Sequence, residues 1–197
     1  MTDPYRTPPI VQPSPLPPSE VLRRARSILG WRDAAGRPPV YRLKYPNGGS
    51  DPTAPHPFAS YEGRAVCDCS GFVAWCLGVP RRRPGYGKGG PVDGYVSTDS
   101  MHWDAVKGPR ELLRPAVELV PGLVLVYPGR FAAGLRIGVG HTGILASVPA
   151  GIPAGTPEWW RLATAIHCSS GNSKQGHAVN ETSAGIWAKR GVILAWG

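Results

Sequence analysis

The clearest pattern of apolar and polar positions in this chain lies at residues 67–78. Phe72, Trp75 and Cys76 recur at the i, i+3, i+4 spacing of one helix face, and Val73 widens that face. Small and polar residues precede this apolar stretch, and a glycine follows it. The pattern predicts a short buried helix around which the rest of the chain is organised.

The ends of this predicted helix carry the first candidate chemistry. Asp68 suits the N-cap, because a carboxylate accepts the free N–H groups that open a helix. Gly78 can end the helix in a left-handed conformation, and Pro80 prevents it from continuing. Cys69 is then the first helical residue, where the positive end of the helix dipole favours a thiolate. The alternative is a buried cysteine that acts as a small hydrophobe, which suits Cys76 better than Cys69.

The remaining patterns predict helices first and a sheet afterwards. An amphipathic helix is predicted from Ser19 to a stop at Gly30, and a short helix at 101–106 follows a cap at 97–100. Apolar runs bounded by turn residues predict the strands 123–127, 140–148 and 163–168, with later candidates at 185–187 and 192–196. These elements predict an α+β domain with N-terminal helices packed on an antiparallel sheet.

Composition fits one domain with an extended N-terminal arm. The chain has 197 residues with 26 glycines and 23 prolines, which predicts many turns around short elements. Residues 1–18 hold seven prolines and predict an arm or linker, whereas residues 19–197 predict the domain. No apolar run reaches the length of a transmembrane helix. The start of the chain lacks a charged segment followed by an apolar one, so we expect no signal peptide.

The net charge of +9 favours polyanionic partners such as nucleic acid, acidic membranes or cell-wall polymer. Much of the excess lies in two arginine groups, at 23–26 and 81–83, which we interpret as solvated faces. No basic stripe with interleaved aromatic residues accompanies them, so we expect no specific nucleic-acid binding. The four cysteines do not form a disulfide scaffold, although a Cys67–Cys168 bridge is conceivable. Their spacing does not predict a zinc site.

A thiolate nucleophile needs a base, and the base needs a group that orients it. His141 begins one predicted strand, and His167 lies near the end of another. If these strands are antiparallel neighbours, both imidazoles meet at one edge of the sheet, and a helix start packed there adds Cys69. His167 would hold the His141 ring in the useful tautomer. Each histidine alone is more typical of a structural role, but together the three predict a Cys–His–His cluster.

Three motifs carry this cluster. They are Asp68-Cys69-Ser70-Gly71-Phe72-Val73, Gly140-His141-Thr142-Gly143-Ile144 and Ile166-His167-Cys168. In this order they resemble the signature of the NlpC-type cell-wall peptidases, which are circularly permuted papain-like cysteine hydrolases related to the CHAP amidases. The resemblance spans roughly residues 20–197. Segment 121–127 resembles the Pro-Gly-Asp-Leu motif of that family, with Leu123 in place of the aspartate.

The resemblance implies a circularly permuted papain-like fold and a role for each motif residue. Cys69 is the implied nucleophile, His141 the general base and His167 the orienting third member. Asp68 and Ser70 are implied contacts to a substrate amine or peptide.

The resemblance also implies a tyrosine that precedes a Gly-Gly pair and lines the site. Tyr41 and Tyr45 both precede Gly48-Gly49, and we favour Tyr41. The implied reaction is acyl transfer through a Cys69 acyl-enzyme, without metal or cofactor. The implied substrate is peptidoglycan or a muropeptide, cleaved most often between D-glutamate and the diamino acid of the stem peptide.

Two other functions stay open. One is a papain-like acyltransferase or thioesterase that acts on a substrate outside the wall, and the other is a wall-binding module without catalysis. A wall hydrolase without a signal peptide would be made in the cytoplasm. It would serve in phage lysis, leave through dedicated secretion or act in cytoplasmic recycling. The sequence names no partner for the proline-rich arm.

Overall fold

The computed structural model describes residues 15–43, 51–90, 92, 94–133, 135–189 and 192–195. Tyr45, the Gly48-Gly49 pair and most of the proline-rich arm lie outside these residues. The helices are α1 (Pro18–Ser27), α2 (Cys69–Leu77), α3 (Thr98–Val106), α4 (Pro157–Leu162), α5 (Ser170–Lys174) and a 3-10 helix, Ala184–Trp187. None of these described helices has the length and apolarity that crossing a membrane requires.

The strands form one large sheet, one small sheet and a hairpin. They are β1 (Val40–Tyr41), β2 (Ala59–Tyr61), β3 (Arg64–Cys67), β4 (Arg114–Pro115), β5 (Val124–Tyr127), β6 (Arg130–Ala132), β7 (Leu135–Gly138), β8 (His141–Ser147), β9 (Thr164–Cys168), β10 (Val179–Ser183) and β11 (Val192–Ala195). The main sheet has the order β10-β9-β8-β5-β11-β4, with antiparallel neighbours throughout. The small sheet has the order β1-β3-β2, and β6 pairs with β7. The α+β prediction is therefore confirmed.

Both faces of the main sheet are covered. Val124 and Val126 of β5 belong to a core that includes residues of α1, α2 and α3. Leu125 belongs instead to a second core around Trp159 and Trp187. Because successive side chains of a strand point to opposite faces, the continuous apolar run of β5 supplies both cores. The sheet is thus a central layer that holds the ends of β8 and β9 in fixed positions.

Helix α2 forms as its caps predict. Asp68 Oδ1 accepts a hydrogen bond from the N–H of Gly71 at 2.8 Å, and Gly78 has a left-handed φ of 71°. All nine residues of α2 are buried, and the helix contacts β8 and β9. Leu16, just before α1, donates its N–H to the carbonyl oxygen of Leu77 at 2.9 Å. The chain before α1 therefore holds the C-terminal end of the central helix.

Helices α1 and α3 begin earlier than predicted. Helix α1 starts at Pro18, whose fixed φ suits the first turn of a helix, and ends before the predicted stop at Gly30. Helix α3 starts at Thr98, three residues earlier than predicted. The reason is a capping box, in which Ser97 accepts the N–H of Ser100 while the Ser100 hydroxyl accepts the N–H of Ser97.

Two elements near the end of the chain differ from those that the sequence pattern predicts. The predicted strand at 185–187 is wrong, because the segment is the 3-10 helix. The Ser183 hydroxyl opens that helix by accepting the N–H of Gly185 at 3.2 Å. The patterning does not predict β10, whose sequence after Val179 is polar. As the edge strand of the sheet, β10 needs few apolar side chains.

The interpretation of both arginine groups as solvated faces is wrong for three of their members. Arg81 and Arg83 are only 3% and 5% exposed. The Arg24 guanidinium lies 4.4 Å above the Trp75 ring and donates to the Trp75 carbonyl oxygen at 2.6 Å. Arg23 remains exposed. Some of the arginines therefore form contacts inside the protein. The net charge of +9 is larger than the charge that the surface offers to a polyanion.

Candidate active site

The main sheet brings two histidines together. Strand β8 begins at His141, and β9 reaches His167 one residue before its end. The two strands are antiparallel, so these positions meet at the same edge of the sheet. His141 Nε2 lies 2.8 Å from His167 Nδ1, and the two rings meet edge to face. The contact that the pairing of the strands predicts is therefore present.

Thr182 continues this chain of hydrogen bonds. His167 Nε2 lies 2.8 Å from Thr182 Oγ1, and the Thr182 hydroxyl donates to the Ser183 carbonyl oxygen at 3.4 Å. If the Thr182 hydroxyl donates to Ser183, it accepts from the ring, and His167 then carries its proton on Nε2. His167 Nδ1 then accepts a hydrogen bond from His141 Nε2–H. This tautomer leaves His141 Nδ1 as a basic nitrogen.

Sequence reasoning missed Thr182. The residue lies on β10, the strand that the patterning does not predict, and its hydroxyl reaches His167 from the neighbouring strand. Thr182 could have been found only if the pairing of β10 with β9 were known, because that pairing brings its hydroxyl to His167.

Trp187 holds the His141 ring in place. The indole of the fully buried Trp187 stacks on His141 at 5.3 Å between ring centres and meets His167 edge to face at 5.4 Å. Gly143 permits this packing, because a Cβ there would lie 2.9 Å from His167 Cβ and 3.2 Å from the Trp187 ring. Gly140 has a related role, since a Cβ there would lie 2.7 Å from the Tyr127 carbonyl oxygen. Both glycines of the His141 motif therefore serve close packing.

Cys69 lies at the start of α2, beside the His141 strand. Its side chain is buried, at 4% exposure, and helix α2 packs against β8. Burial raises the pKa of Cys69 to about 12, and the charge of Asp68 adds to this effect. The backbone of Thr142 and Ser70 and the charge of Arg81 act in the opposite direction. The expectation that the helix start favours a thiolate is therefore wrong for the resting site, where burial keeps the thiol protonated.

The two histidines are neutral at pH 7. Burial, followed by the proximity of His167, lowers the pKa of His141 to about 3. Burial lowers the pKa of His167 to about 4. A neutral imidazole accepts a proton, whereas an imidazolium does not. Among the described residues, the resting site therefore contains a neutral thiol and a neutral base, without a hydrogen bond between Cys69 and His141. A neutral thiol and a neutral base suit proton transfer during attack on a substrate.

Asp68 and Ser70 form a closed network with Arg81. Arg81 Nη2 lies 2.5 Å from Asp68 Oδ2 and donates to Ser70 Oγ at 3.0 Å. Ser70 Oγ in turn donates to Asp68 Oδ1 at 3.2 Å. Burial alone would lower the pKa of Arg81, but the charge and hydrogen bond of Asp68 raise it above its usual value. The carboxylate next to the nucleophile therefore already has a cationic partner.

Two adjacent pockets open onto these residues. A pocket of about 510 Å³ is lined by His141, His167 and Tyr41, and one of about 320 Å³ is lined by Cys69. Val139 and Gly140 line both pockets, so the two pockets are adjacent.

Tyr41 is the candidate tyrosine that the structure describes, since Tyr45 lies outside the described residues. Burial raises the pKa of Tyr41, and the proximity of Cys69 is the next cause. The Tyr41 side chain thus lies near the nucleophile and lines the larger pocket. Ser169 and Asn172, at the start of α5, line the same pocket.

All four cysteines are free thiols. Cys168 Sγ lies 3.5 Å from the Cys67 carbonyl oxygen, and both residues are fully buried. Cys76 lies in the core, as the alternative interpretation of a small buried hydrophobe requires. No group of three potential metal ligands occurs among the described residues.

Comparisons with known proteins supply no relative for this chain. A scan against protein-family models, a search of curated proteins and a search of solved structures each returned no match. The function is therefore inferred from the geometry of the Cys69, His141 and His167 cluster, together with the motif resemblance that its residues carry.

Proposed function

We propose that this protein is a papain-like cysteine hydrolase that cleaves amide bonds in peptidoglycan stem peptides. The observation that carries the proposal is the hydrogen-bonded chain from His141 through His167 to Thr182, together with the buried Cys69 thiol on the helix that packs against the His141 strand. This arrangement supplies a nucleophile, a base and a group that orients the base. The three motifs favour a circularly permuted papain-like fold and a wall substrate.

The reaction begins with attack of Cys69 on an amide carbonyl. As Sγ bonds to the carbonyl carbon, the thiol proton moves to His141 Nδ1, and the carbonyl oxygen gains negative charge. The first N–H groups of a helix have no partner within the helix. The N–H of Cys69 can therefore donate to the oxyanion. A positive charge on His141 is stabilised through His167, which accepts the Nε2 proton in a hydrogen bond.

The imidazolium then completes the reaction. His141 gives its proton to the leaving nitrogen, the C–N bond breaks, and an acyl-enzyme remains on Cys69. Water adds to the thioester while His141 accepts one of its protons. The C–S bond breaks, the acid is released, and the proton returns to the thiol. Each step uses groups of this chain and water.

Purified protein and a Cys69→Ala variant should be incubated with peptidoglycan and with soluble muropeptides, and the products identified by mass spectrometry. We expect new stem-peptide fragments from the wild type and none from the variant. Cys76→Ala is a matched control, because Cys76 is buried in the same helix and belongs to the core. Fragments that persist in Cys69→Ala would contradict the assigned nucleophile, and no cleavage of any wall type would contradict the wall substrate.

A second candidate is an acyltransferase or thioesterase, and one observation favours it. Val139 and Ile186 line the larger pocket with side chains about half exposed, at 48% and 49%. Leu135 and Ile137, on β7 just before Val139, are 71% and 58% exposed. An apolar rim of this kind suits an acyl chain. Cleavage of long-chain acyl thioesters by the wild type, with intact muropeptides, would favour this function.

A further inference from the structure

Arg81 and Asp68 form a buried ion pair in the smaller pocket, the one that Cys69 lines. The guanidinium contacts Asp68 and Ser70, and the Arg81 and Asp68 side chains are 3% and 4% exposed. The Arg81 guanidinium also lies 4.8 Å from the centre of the Tyr95 ring. A buried ion pair of this kind costs free energy to desolvate, so its contribution to stability alone is a weak reason for its presence. Asp68, the acidic member of the pair, immediately precedes Cys69 in the sequence. This position points to a role in the site.

We propose that Arg81 cancels the charge of Asp68 at Cys69, and that the pocket therefore accepts an uncharged substrate segment rather than an ammonium group. A carboxylate next to a thiol opposes thiolate formation, and an uncompensated carboxylate attracts cations. Arg81 counters both effects from one position. The charge of Asp68 raises the pKa of Cys69, and the charge of Arg81 lowers it, as this arrangement requires.

Other titratable groups surround the thiol and stay constant in the comparison below. They are Tyr41 on β1, Cys67 on β3, Cys168 on β9, and Tyr95 and Asp99 in the smaller pocket. His141 begins β8, the strand against which α2 packs. Asp99 is the second carboxylate of the smaller pocket, is 3% exposed, and accepts the N–H of Gly129 at 2.7 Å. It is therefore the alternative source of any attraction for a cation.

The consequence for the substrate rests on the proposed function. Cys69, Ser70 and Arg81 line the smaller pocket, so a substrate segment on this side of the scissile bond meets the paired Asp68. An ammonium group there would have to displace Arg81 from a buried contact. A neutral amide or an acylated nitrogen needs no such displacement. We therefore expect substrates whose nitrogen is blocked or part of a longer peptide at this position.

The first test reads the thiol without any substrate. The pH dependence of Cys69 alkylation by iodoacetamide is measured by peptide mass spectrometry in the wild type, Arg81→Met, Asp68→Asn and the double variant. We expect alkylation at pH 8 to fall about tenfold or more in Arg81→Met, and to rise in Asp68→Asn. The double variant should return to within about threefold of the wild type, because both charges are gone.

Two controls separate charge from folding. Arg81→Lys keeps the positive charge and should retain most of the wild-type reactivity. Asparagine remains a good N-cap, so Asp68→Asn keeps the start of α2 even if Arg81→Met fails to fold. Unchanged alkylation in Asp68→Asn, or equal alkylation in folded Arg81→Met and the double variant, would overturn the electrostatic role of Arg81.

The second test reads substrate choice. Two stem peptides are compared that differ only in a free or an acetylated amine at the position facing Asp68. The wild type should cleave the acetylated peptide with the higher kcat/KM, whereas Arg81→Met should favour the free amine by about tenfold or more. The double variant should lose that preference. Equal cleavage of the two peptides by the wild type, or a preference for the free amine, would overturn the substrate inference. Loss of a free-amine preference in Asp99→Asn would identify Asp99 as its cause.

The two tests fail separately. If neither peptide is cleaved while alkylation follows the predicted order, the proposed function is wrong and the role of Arg81 stands. If both peptides are cleaved but alkylation ignores the charge changes, the proposed function stands and the role of Arg81 is wrong.

Discussion

His167 should make the folded protein sensitive to acid. Burial lowers the pKa of His167 from 6.5 to about 4 in the folded protein, whereas the same side chain titrates near 6.5 in the unfolded chain. Below pH 6.5 the unfolded state therefore binds a proton that the folded state does not bind, and the free energy of unfolding falls. The contribution of neutral His167 to the free energy of unfolding is fully present above pH 6.5. Its loss levels off once the pH falls below about 4.

The size of the loss follows from these two pKa values. Each pH unit in this window removes up to about 1.4 kcal/mol per group, so His167 alone lowers the free energy of unfolding by about 2 kcal/mol at pH 5. The two side-chain groups bonded to its ring, His141 and Thr182, are both neutral. His141, with its pKa lowered to about 3, adds a similar loss. A total of about 4 kcal/mol is a large share of the stability of a typical domain.

The assay is urea unfolding, followed by tryptophan fluorescence, at pH 7 and pH 5 for the wild type and His167→Gln. Glutamine does not titrate in this range and keeps an amide that can contact Thr182. We expect the variant to be less stable at pH 7 but to lose about 2 kcal/mol less than the wild type between the two pH values. Equal losses in the two proteins would refute the assignment of a buried, neutral His167.

Three further changes test other parts of the structure. Thr182→Val removes one neutral hydrogen bond from His167 and should lower kcat/KM about three- to tenfold with little change in KM; steady-state rates that match the wild type would contradict the relay. Gly143→Ala places a Cβ 2.9 Å from His167 Cβ and should lower the free energy of unfolding by about 1–3 kcal/mol; an unchanged urea midpoint would show that Trp187 and His167 can move apart. Asp104→Ala removes a buried carboxylate that accepts three consecutive backbone N–H groups at 2.8–3.0 Å. Its loss should cost about 3 kcal/mol or more, and a cost below about 1 kcal/mol in thermal unfolding would contradict that role.

The sequence by itself determined the elements whose signals are local. The Asp68 cap, the apolar face of α2 and the left-handed Gly78 lie within about ten residues of one another, so spacing alone places Cys69 at the first turn. The apolar run of β5 and the positions of His141 and His167 on their strands are equally local. These features follow from short-range hydrogen bonding and from side-chain periodicity, which neighbouring residues express directly.

The tertiary structure alone decided what surrounds those residues. Thr182 joins His167 because β10 pairs with β9, and Arg81 joins Asp68 because a loop folds back over the start of α2. Burial of Cys69 outweighs the helix dipole and raises its pKa, which the sequence pattern does not foresee. Desolvation and long-range charge pairs depend on which segments pack together in space. The residues of the candidate site could therefore be named from the sequence, but their protonation states and their partners could not.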